Sequence, residues 1–282
     1  MAEIVSVLAL AHAPGATGWL DKAPKHEQDG INQGYAELRR RLEATRPDVI
    51  VGVANDHLLN FHPGHVPDWC VGTAAQWQGP APWFRDWINV PDYQVAGEPE
   101  LARHIVRASG RKGFNLDYRD DLLFDDNWSV PLHYLTPAHD IPLVPIHMNC
   151  VLPPMPPVQR CFEFGQVLAE VVQAWPQHLR VAIMATGGLS HDPGGPKYFG
   201  VDEAFDRWFL GLLGEGDPQK VLRECTLDKM MAAGDGGTTE LLAWIVALGA
   251  VGRRKADTAF YVPSVPLRCG MGGVTWNMAD AA

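Results

Sequence analysis

Three histidines and one glutamate stand where an α/β protein gathers its ligands. His12 follows an apolar run at residues 4–11, His57 follows the run at 48–54, and His191 lies beyond the run at 180–185. In open α/β sheets, ligands bind at the carboxyl ends of strands, where the connecting loops converge. A single histidine at a strand end is more often a satisfied structural residue than a ligand, but three in the same class of position make a site. Glu240 is the natural acidic companion, opening the stretch TTELLAWIVALG after the turn Gly234-Asp235-Gly236-Gly237. Alone it reads as a carboxylate favoured in a first helical turn by the helix dipole. Two neutral imidazoles and one carboxylate on one face leave coordination positions open, the arrangement that non-haem Fe(II) oxygenases use. A similar donor set holds Zn2+ in metallopeptidase-type sites with a water in the fourth position. The residues alone leave that choice open, although no H-E-x-x-H signature is present and the four residues are dispersed over the chain.

The elements that must position these side chains read as apolar runs alternating with amphipathic stretches. Strands are predicted at 4–11, 48–54, 143–148, 180–185, 259–262 and 273–276. Helices are predicted at 33–44, with Tyr35, Leu38 and Leu42 on one face, and at 100–108, 159–175, 202–213 and 238–248. Strands that are continuously apolar, rather than alternating, imply burial on both faces. The expected fold class is therefore α/β, a mostly parallel or mixed central sheet covered by helices on both faces, in a single domain over 1–282. The proline-rich piece Pro153-Pro154-Met155-Pro156-Pro157 reads as a rigid loop rather than an interdomain hinge. Residues 61–99, carrying Trp69, Trp77, Trp83 and Trp87, read as a long aromatic loop of the kind that binds or covers a ligand.

Composition narrows the function classes. The 282 residues, 46% of them hydrophobic, suffice for a sizeable core. The net charge of −10, from 23 basic and 33 acidic residues, argues against a nucleic-acid partner. The basic triplets Arg39-Arg40-Arg41 and Arg253-Arg254-Lys255 read as solvated faces near helix ends. Five cysteines without a C-x-x-C pair argue against a zinc ribbon and a disulfide framework, and suit a reducing cytoplasm. The opening MAEIVSVLALAHAPG lacks a basic leader and is too short to span a bilayer, so it reads as a buried strand of a soluble protein with no membrane partner.

Four blocks carry a resemblance: Ala11-His12-Ala13-Pro14, Asn55-Asp56-His57, Gly187-Gly188-Leu189-Ser190-His191, and Thr239-Glu240 with Trp244. Together they resemble the catalytic β-subunit family of protocatechuate 4,5-dioxygenase, the class III extradiol ring-cleavage enzymes that include gallate dioxygenase. The resemblance runs from the first strand to about Pro263-Ser264, and the N-D-H and G-G-L-S-H blocks in that order and spacing are jointly specific. It implies that His12, His57 and Glu240 bind Fe(II) and that His191 is the acid/base beside the substrate. It implies ring opening of a protocatechuate- or gallate-like diol with insertion of both atoms of O2. Some members pair with a small helical α-subunit, separate or fused. The chain ends soon after the core, so no fused domain is expected, and a homo-oligomer is the default.

One block departs from the family. Where a D-H-G sequence is usual, this chain reads Phe124-Asp125-Asp126-Asn127-Trp128-Ser129-Val130-Pro131-Leu132. Aligned on Pro131-Leu132, Asp126 stands where a second active-site histidine is expected. As a catalytic residue it would accept a hydrogen bond from a substrate hydroxyl or amine, but could not donate one when ionised. The substitution points to an unusual substrate, altered proton handling or a diverged reaction; the bland alternative is that Asp125 and Asp126 cap a turn. His62 and His65 match no family ligand, His133 and His147 read as structural, and Arg268 could pair with a substrate carboxylate. The rival functions are a divergent metalloenzyme of the same fold, including a hydrolase, and a non-catalytic binding relative. The second rival should have lost part of the ligand set, and all four residues are present.

Overall fold

The computed structural model describes residues 1–278. Its strands are β1 (Ala2–Leu10), β2 (Val49–Asn55), β3 (Trp69–Gly72), β4 (Gln76–Gly79), β5 (Tyr93–Ala96), β6 (Asp117–Arg119), β7 (Leu143–Met148), β8 (Leu179–Thr186), β9 (Ala256–Ser264) and β10 (Cys269–Trp276). Eight of them form one sheet in the order β6-β3-β7-β2-β8-β1-β10-β9. The middle four, β7, β2, β8 and β1, are mutually parallel. Antiparallel strands β3 and β10 flank them, while β4 and β5 pair separately.

The helices are α1 (Gly15–Gly18), α2 (Lys25–Thr45), α3 (Pro82–Ile88), α4 (Pro99–Arg111), α5 (Asp126–Leu135), α6 (Val158–Gln173), α7 (Glu203–Glu215), α8 (Pro218–Glu224), α9 (Leu227–Ala233) and α10 (Leu241–Val251). They cover both faces of the sheet, as the apolar strands require. Val51, Val53, Val144, Ile146 and Ile183 pack toward α4, α6 and α10. The alternate residues Leu8, Leu10, Ile50, Ala182 and Met184 pack toward α2 and α5. In β1 a register shift between Ile4 and Ser6 lets Ile4 and Val7, three residues apart, enter the same core.

α10 is apolar all round because it is buried on all sides, from Leu241 to Gly249. Its approach to α6 depends on two glycines. A Cβ on Gly165 would lie 2.0 Å from the Val246 carbonyl oxygen, and one on Gly249 would lie 2.1 Å from that of Phe162. Neither position has room for alanine.

Three expectations need correction. Residues 61–99 are not a bare loop: they contain β3, β4, α3 and β5. Trp69 and Trp77 are core residues, Trp77 donating its indole N–H to the Leu143 carbonyl at 3.1 Å. Only Trp83 and Trp87 of that set stand out from the core. Second, α2 begins at Lys25, because its first two turns expose polar residues and show no apolar stripe. Third, α5 escaped the pattern altogether, since it is almost wholly buried and carries Pro131 inside it. Among the described residues, no helix is long and apolar enough to cross a membrane.

Candidate active site

The site is built by strand register. Leu10 of β1 and Ala54 of β2 both sit opposite Thr186 of β8, so the carboxyl ends of three parallel strands finish side by side. The residues that follow deliver His12, Asn55-Asp56-His57 and Gly187 through His191. Glu240 reaches them from a 3-10 turn (Thr238–Glu240) that leads into α10. Its Oε1 lies 2.9 Å from His57 Nε2, and its Oε2 lies 3.3 Å from His12 Nε2 and 3.7 Å from His191 Nε2. Residues separated by more than 180 positions thus meet at one carboxylate.

The surrounding hydrogen bonds fix which imidazole nitrogens face it. Thr186 Oγ1 gives its proton to the Asn127 carbonyl at 2.8 Å, so at 2.7 Å from His12 it accepts from Nδ1–H. His12 Nε2 is thereby turned toward Glu240, and this buried nitrogen has no hydrogen-bond partner. His57 Nδ1 lies 3.0 Å from Asp125 Oδ2, which turns its Nε2 toward Glu240. Glu240 also accepts from Asn55 Nδ2 at 3.1 Å and from the Gly188 backbone N–H at 2.7 Å. Two imidazole nitrogens at 2.9 and 3.3 Å from one fixed carboxylate suit neighbouring ligands on one ion, which would take the place of any proton between them. A second grouping overlaps this one: ligand atoms of His12, His57 and Asp126 all lie within 4.8 Å of one another.

Electrostatics follow the geometry. Burial would lift the Glu240 pKa, but the His12 and His191 imidazoles override it and hold the carboxyl well below its usual range. Burial works against a protonated His57, yet the Asp125 and Asp126 carboxylates and the Glu240 hydrogen bond raise its pKa well above the ordinary value. His191 is raised in the same way, against burial, chiefly by Glu240. Burial pushes Asp126 up to about 6, with the His57 charge opposing.

The N-D-H block divides three tasks among three consecutive residues. Asn55 steadies Glu240, and its Oδ1 accepts from the Cys150 backbone N–H at 3.2 Å. Asp56 accepts from His147 Nδ1 at 3.0 Å, and His147 Nε2 accepts from the Trp128 indole at 2.8 Å, so His147 is structural as expected. His57 faces the site. The Asp125-Asp126 pair also divides: Asp125 caps α5, accepting from the Asn127 N–H at 2.8 Å, whereas Asp126 lines the cavity. Asp125 thus takes the cap, and Asp126 is left facing the cavity. His62, His65 and His133 are exposed and take no part.

His12, His57, Asp126, His191 and Glu240 line a cavity of about 410 Å³. Its remaining wall is largely apolar, including Trp19, Leu58, Phe84, Trp87, Tyr198 and Leu267. Of these, sequence reasoning had singled out only Trp87, in the aromatic stretch, and it missed Thr186; Asn55 and Asp125 lay inside quoted blocks, but with no part assigned to them in orienting Glu240 or His57.

The G-G-L-S-H loop is held from behind. The Trp244 indole donates to the Gly187 carbonyl at 3.0 Å, and a Cβ on Gly188 would strike the His191 ring at 2.5 Å. Buried Asp206 accepts from the Ser190 backbone N–H at 2.7 Å, the Ser190 hydroxyl at 2.8 Å and the Tyr261 hydroxyl at 2.8 Å. Burial nevertheless pushes its pKa up to about 6. The folded state then binds the proton more tightly than the unfolded chain, where an aspartate titrates near 4. Its contribution to stability is fully present below about pH 4 and is lost as pH rises to about 6, a change of roughly 3 kcal/mol. Asp206→Asn is expected to remove that slope, and Asp206→Ala to cost about 2–4 kcal/mol by orphaning the Ser190 N–H. Urea denaturation of parent and variants between pH 4 and 7 measures both; an unchanged slope in the asparagine variant would refute the assignment.

Comparison with known proteins gives the family. A family model described as the catalytic LigB subunit of aromatic ring-opening dioxygenase matches residues 6–265. Gallate dioxygenase of Pseudomonas putida is 30% identical over 176 residues, 61% of this chain and 51% of that protein, so the match spans about half of that relative. The 2,3-dihydroxyphenylpropionate/2,3-dihydroxicinnamic acid 1,2-dioxygenase of Klebsiella pneumoniae is 25% identical over 314 residues, 94% of this chain and 96% of the relative. Among solved structures, an uncharacterized protein from Escherichia coli K12 superposes with a TM-score of 0.59 at 17% identity, covering 96% of this chain and 99% of that one, a likeness of fold. The family match takes in His12, His57, Asp126, His191 and Glu240, and the chain belongs to the family of catalytic LigB subunits of aromatic ring-opening dioxygenases.

Proposed function

We propose that this chain is an Fe(II)-dependent extradiol dioxygenase that opens the ring of a catechol-type acid and inserts both atoms of O2. The observation that carries the reading is the buried meeting of His12 Nε2, His57 Nε2 and Glu240, beside His191 and open to one aromatic-walled cavity. Two imidazoles and one carboxylate suit Fe(II) and leave positions for other ligands. When bound, Fe(II) supplies Lewis acidity and a path for electrons from the ring to O2. The protein's own groups do the rest. His191 Nε2 takes a proton from the diol and returns it to the product. Asp126 accepts a hydrogen bond from a ring substituent, and Trp19, Phe84 and Trp87 hold the ring and exclude water.

Glu240 is assigned as the third ligand because its two oxygens approach both imidazoles, whereas Asp126 Oδ1 lies 3.7 Å from the Nδ1 edge of His57. The relatives' names, gallate and 2,3-dihydroxyphenylpropionate, denote hydroxylated aromatic acids and support the substrate class. Five free, buried cysteines support a reducing, cytoplasmic setting. The family's description as a subunit supports assembly with a further chain, a small α-subunit or a second copy.

The test is anaerobic loading with Fe(II), followed by protocatechuate, gallate and 3-(2,3-dihydroxyphenyl)propionate. The expected result is uptake of one O2 per diol and a yellow ring-fission product with at least one of them. Stoichiometric zinc in the isolated protein, with no O2 uptake from any diol after Fe(II) loading, would end the reading.

A further inference from the structure

Arg268 is the only lysine or arginine among the residues lining the cavity. Every other charged group there is acidic or an imidazole beside an acid, and the chain as a whole carries a charge of −10. An anion entering this cavity would meet only the Glu240 and Asp126 carboxylates unless a cation also lined it. Arg268 is placed to be that cation. Its guanidinium carbon lies 4.2 Å from the centre of the Tyr198 ring and 5.1 Å from that of Phe199. Among the described residues no carboxylate pairs with it.

A guanidinium laid on aromatic faces keeps its N–H edge free, and the fork of that edge fits a carboxylate with two parallel hydrogen bonds. Stacking also removes much of the side chain's rotamer freedom in advance, so less is lost on binding. The backbone holds the same residue in an uncommon state: Arg268 has φ of +60° in the turn between β9 and β10, its N–H donating to the Val265 carbonyl at 3.0 Å. Two residues on, the Gly270 N–H donates to the Ser190 carbonyl at 3.0 Å. The turn that carries Arg268 is thereby tied to the loop that carries His191. A bulky side chain at positive φ is strained and persists where the surrounding structure imposes it.

We propose that Arg268, lying against Tyr198 and Phe199, is the residue that selects a carboxylate-bearing substrate over its neutral counterpart. The proposal rests on the ring-opening reading for the identity of the ring, but not for the identity of the anchor. The ring stacks against the aromatic wall, the diol points to the His12–His57–Glu240 end, and the acid's oxygens meet the guanidinium.

The test uses the acids protocatechuate, gallate and 3-(2,3-dihydroxyphenyl)propionate beside their primary carboxamides, with full-length parent, Arg268→Gln and Arg268→Lys. Calorimetric binding to the metal-loaded protein without O2 is read first, and kcat/KM by O2 uptake second. The parent should bind at least one acid about 10- to 100-fold more tightly than its amide. Arg268→Gln should erase that preference, with the loss in KM rather than kcat and the amide unaffected; Arg268→Lys should keep part of it. An acid-to-amide ratio unchanged in Arg268→Gln, or no acid bound by the parent, overturns the proposal. Arg268-dependent acid binding without O2 uptake from any diol would uphold the anchor while refuting the ring-opening reading. Equal metal content and far-ultraviolet circular dichroism in parent and Arg268→Gln show that the variant is folded.

Discussion

Alanine at position 240 is expected to leave the protein without retained metal and with turnover at least about 10³-fold lower, since a bound ion contributes several kcal/mol at the transition state. Glu240 reaches both His57 and His12, at 2.9 and 3.3 Å. Without it two neutral imidazoles remain, and the Asn55 and Gly188 donors lose their acceptor. Glu240→Gln keeps the volume but sets an amide N–H2 against one of those donors, so it too should lose metal while folding better than alanine. Asp126→Asn is the discriminating control. If it strips the metal and Glu240→Ala does not, the ligands are His12, His57 and Asp126. Metal content after desalting and the calorimetric affinity for Fe(II) decide between them. The affinity should also depend on pH with a definite sign. His57, raised despite burial by its carboxylate neighbours, and Asp126, pushed up to about 6 by burial, both hold protons that a metal must displace. Affinity therefore falls progressively as pH drops, beginning above the ordinary histidine range where His57 takes up its proton, with proton release visible as a dependence of binding heat on the buffer.

What the sequence disclosed and what it hid have separate physical causes. β2, β7 and β8 were legible because helices bury both their faces, which removes polar alternation and leaves unbroken apolar runs. His12, His57 and His191 were legible because those runs stop just before them. The partners of these histidines were not. Thr186 sets the His12 tautomer from 174 positions away, and Asp125 turns His57 from 68 positions away. Contacts of that span leave no periodic trace. α5 shows the same limit. Its burial on nearly every side gives no amphipathic stripe, and Pro131 argues locally against a helix that tertiary packing imposes. The departure at Asp126 was visible only against a family pattern; its place inside the cavity, with Asp125 taking the cap, needed coordinates.

His191→Ala should separate chemistry from metal binding. The ring is oriented by its own loop, Nδ1–H donating to the Leu189 carbonyl at 2.8 Å, so Nε2 is the nitrogen presented to the cavity. It lies 3.7 Å from Glu240 Oε2, near enough to sense the carboxylate's charge but farther from it than His57 Nε2 or His12 Nε2. On the proposed reading, a group so placed moves protons rather than holding the ion. Its removal should spare the metal and lower kcat by about 10²–10⁴, the usual worth of a positioned acid/base. The backbone of the loop should survive, because Thr238 Oγ1 bonds both the N–H and the carbonyl of residue 191 at 3.2 Å, and Asp206 holds Ser190 beside it. Added imidazole, entering the space left beside Gly188 and Gly237, should restore part of the lost turnover in proportion to its unprotonated fraction. Metal loss equal to that of Glu240→Ala would make His191 a ligand. Unchanged turnover would move the proton chemistry to Asp126, the cavity carboxyl that burial pushes up to about 6.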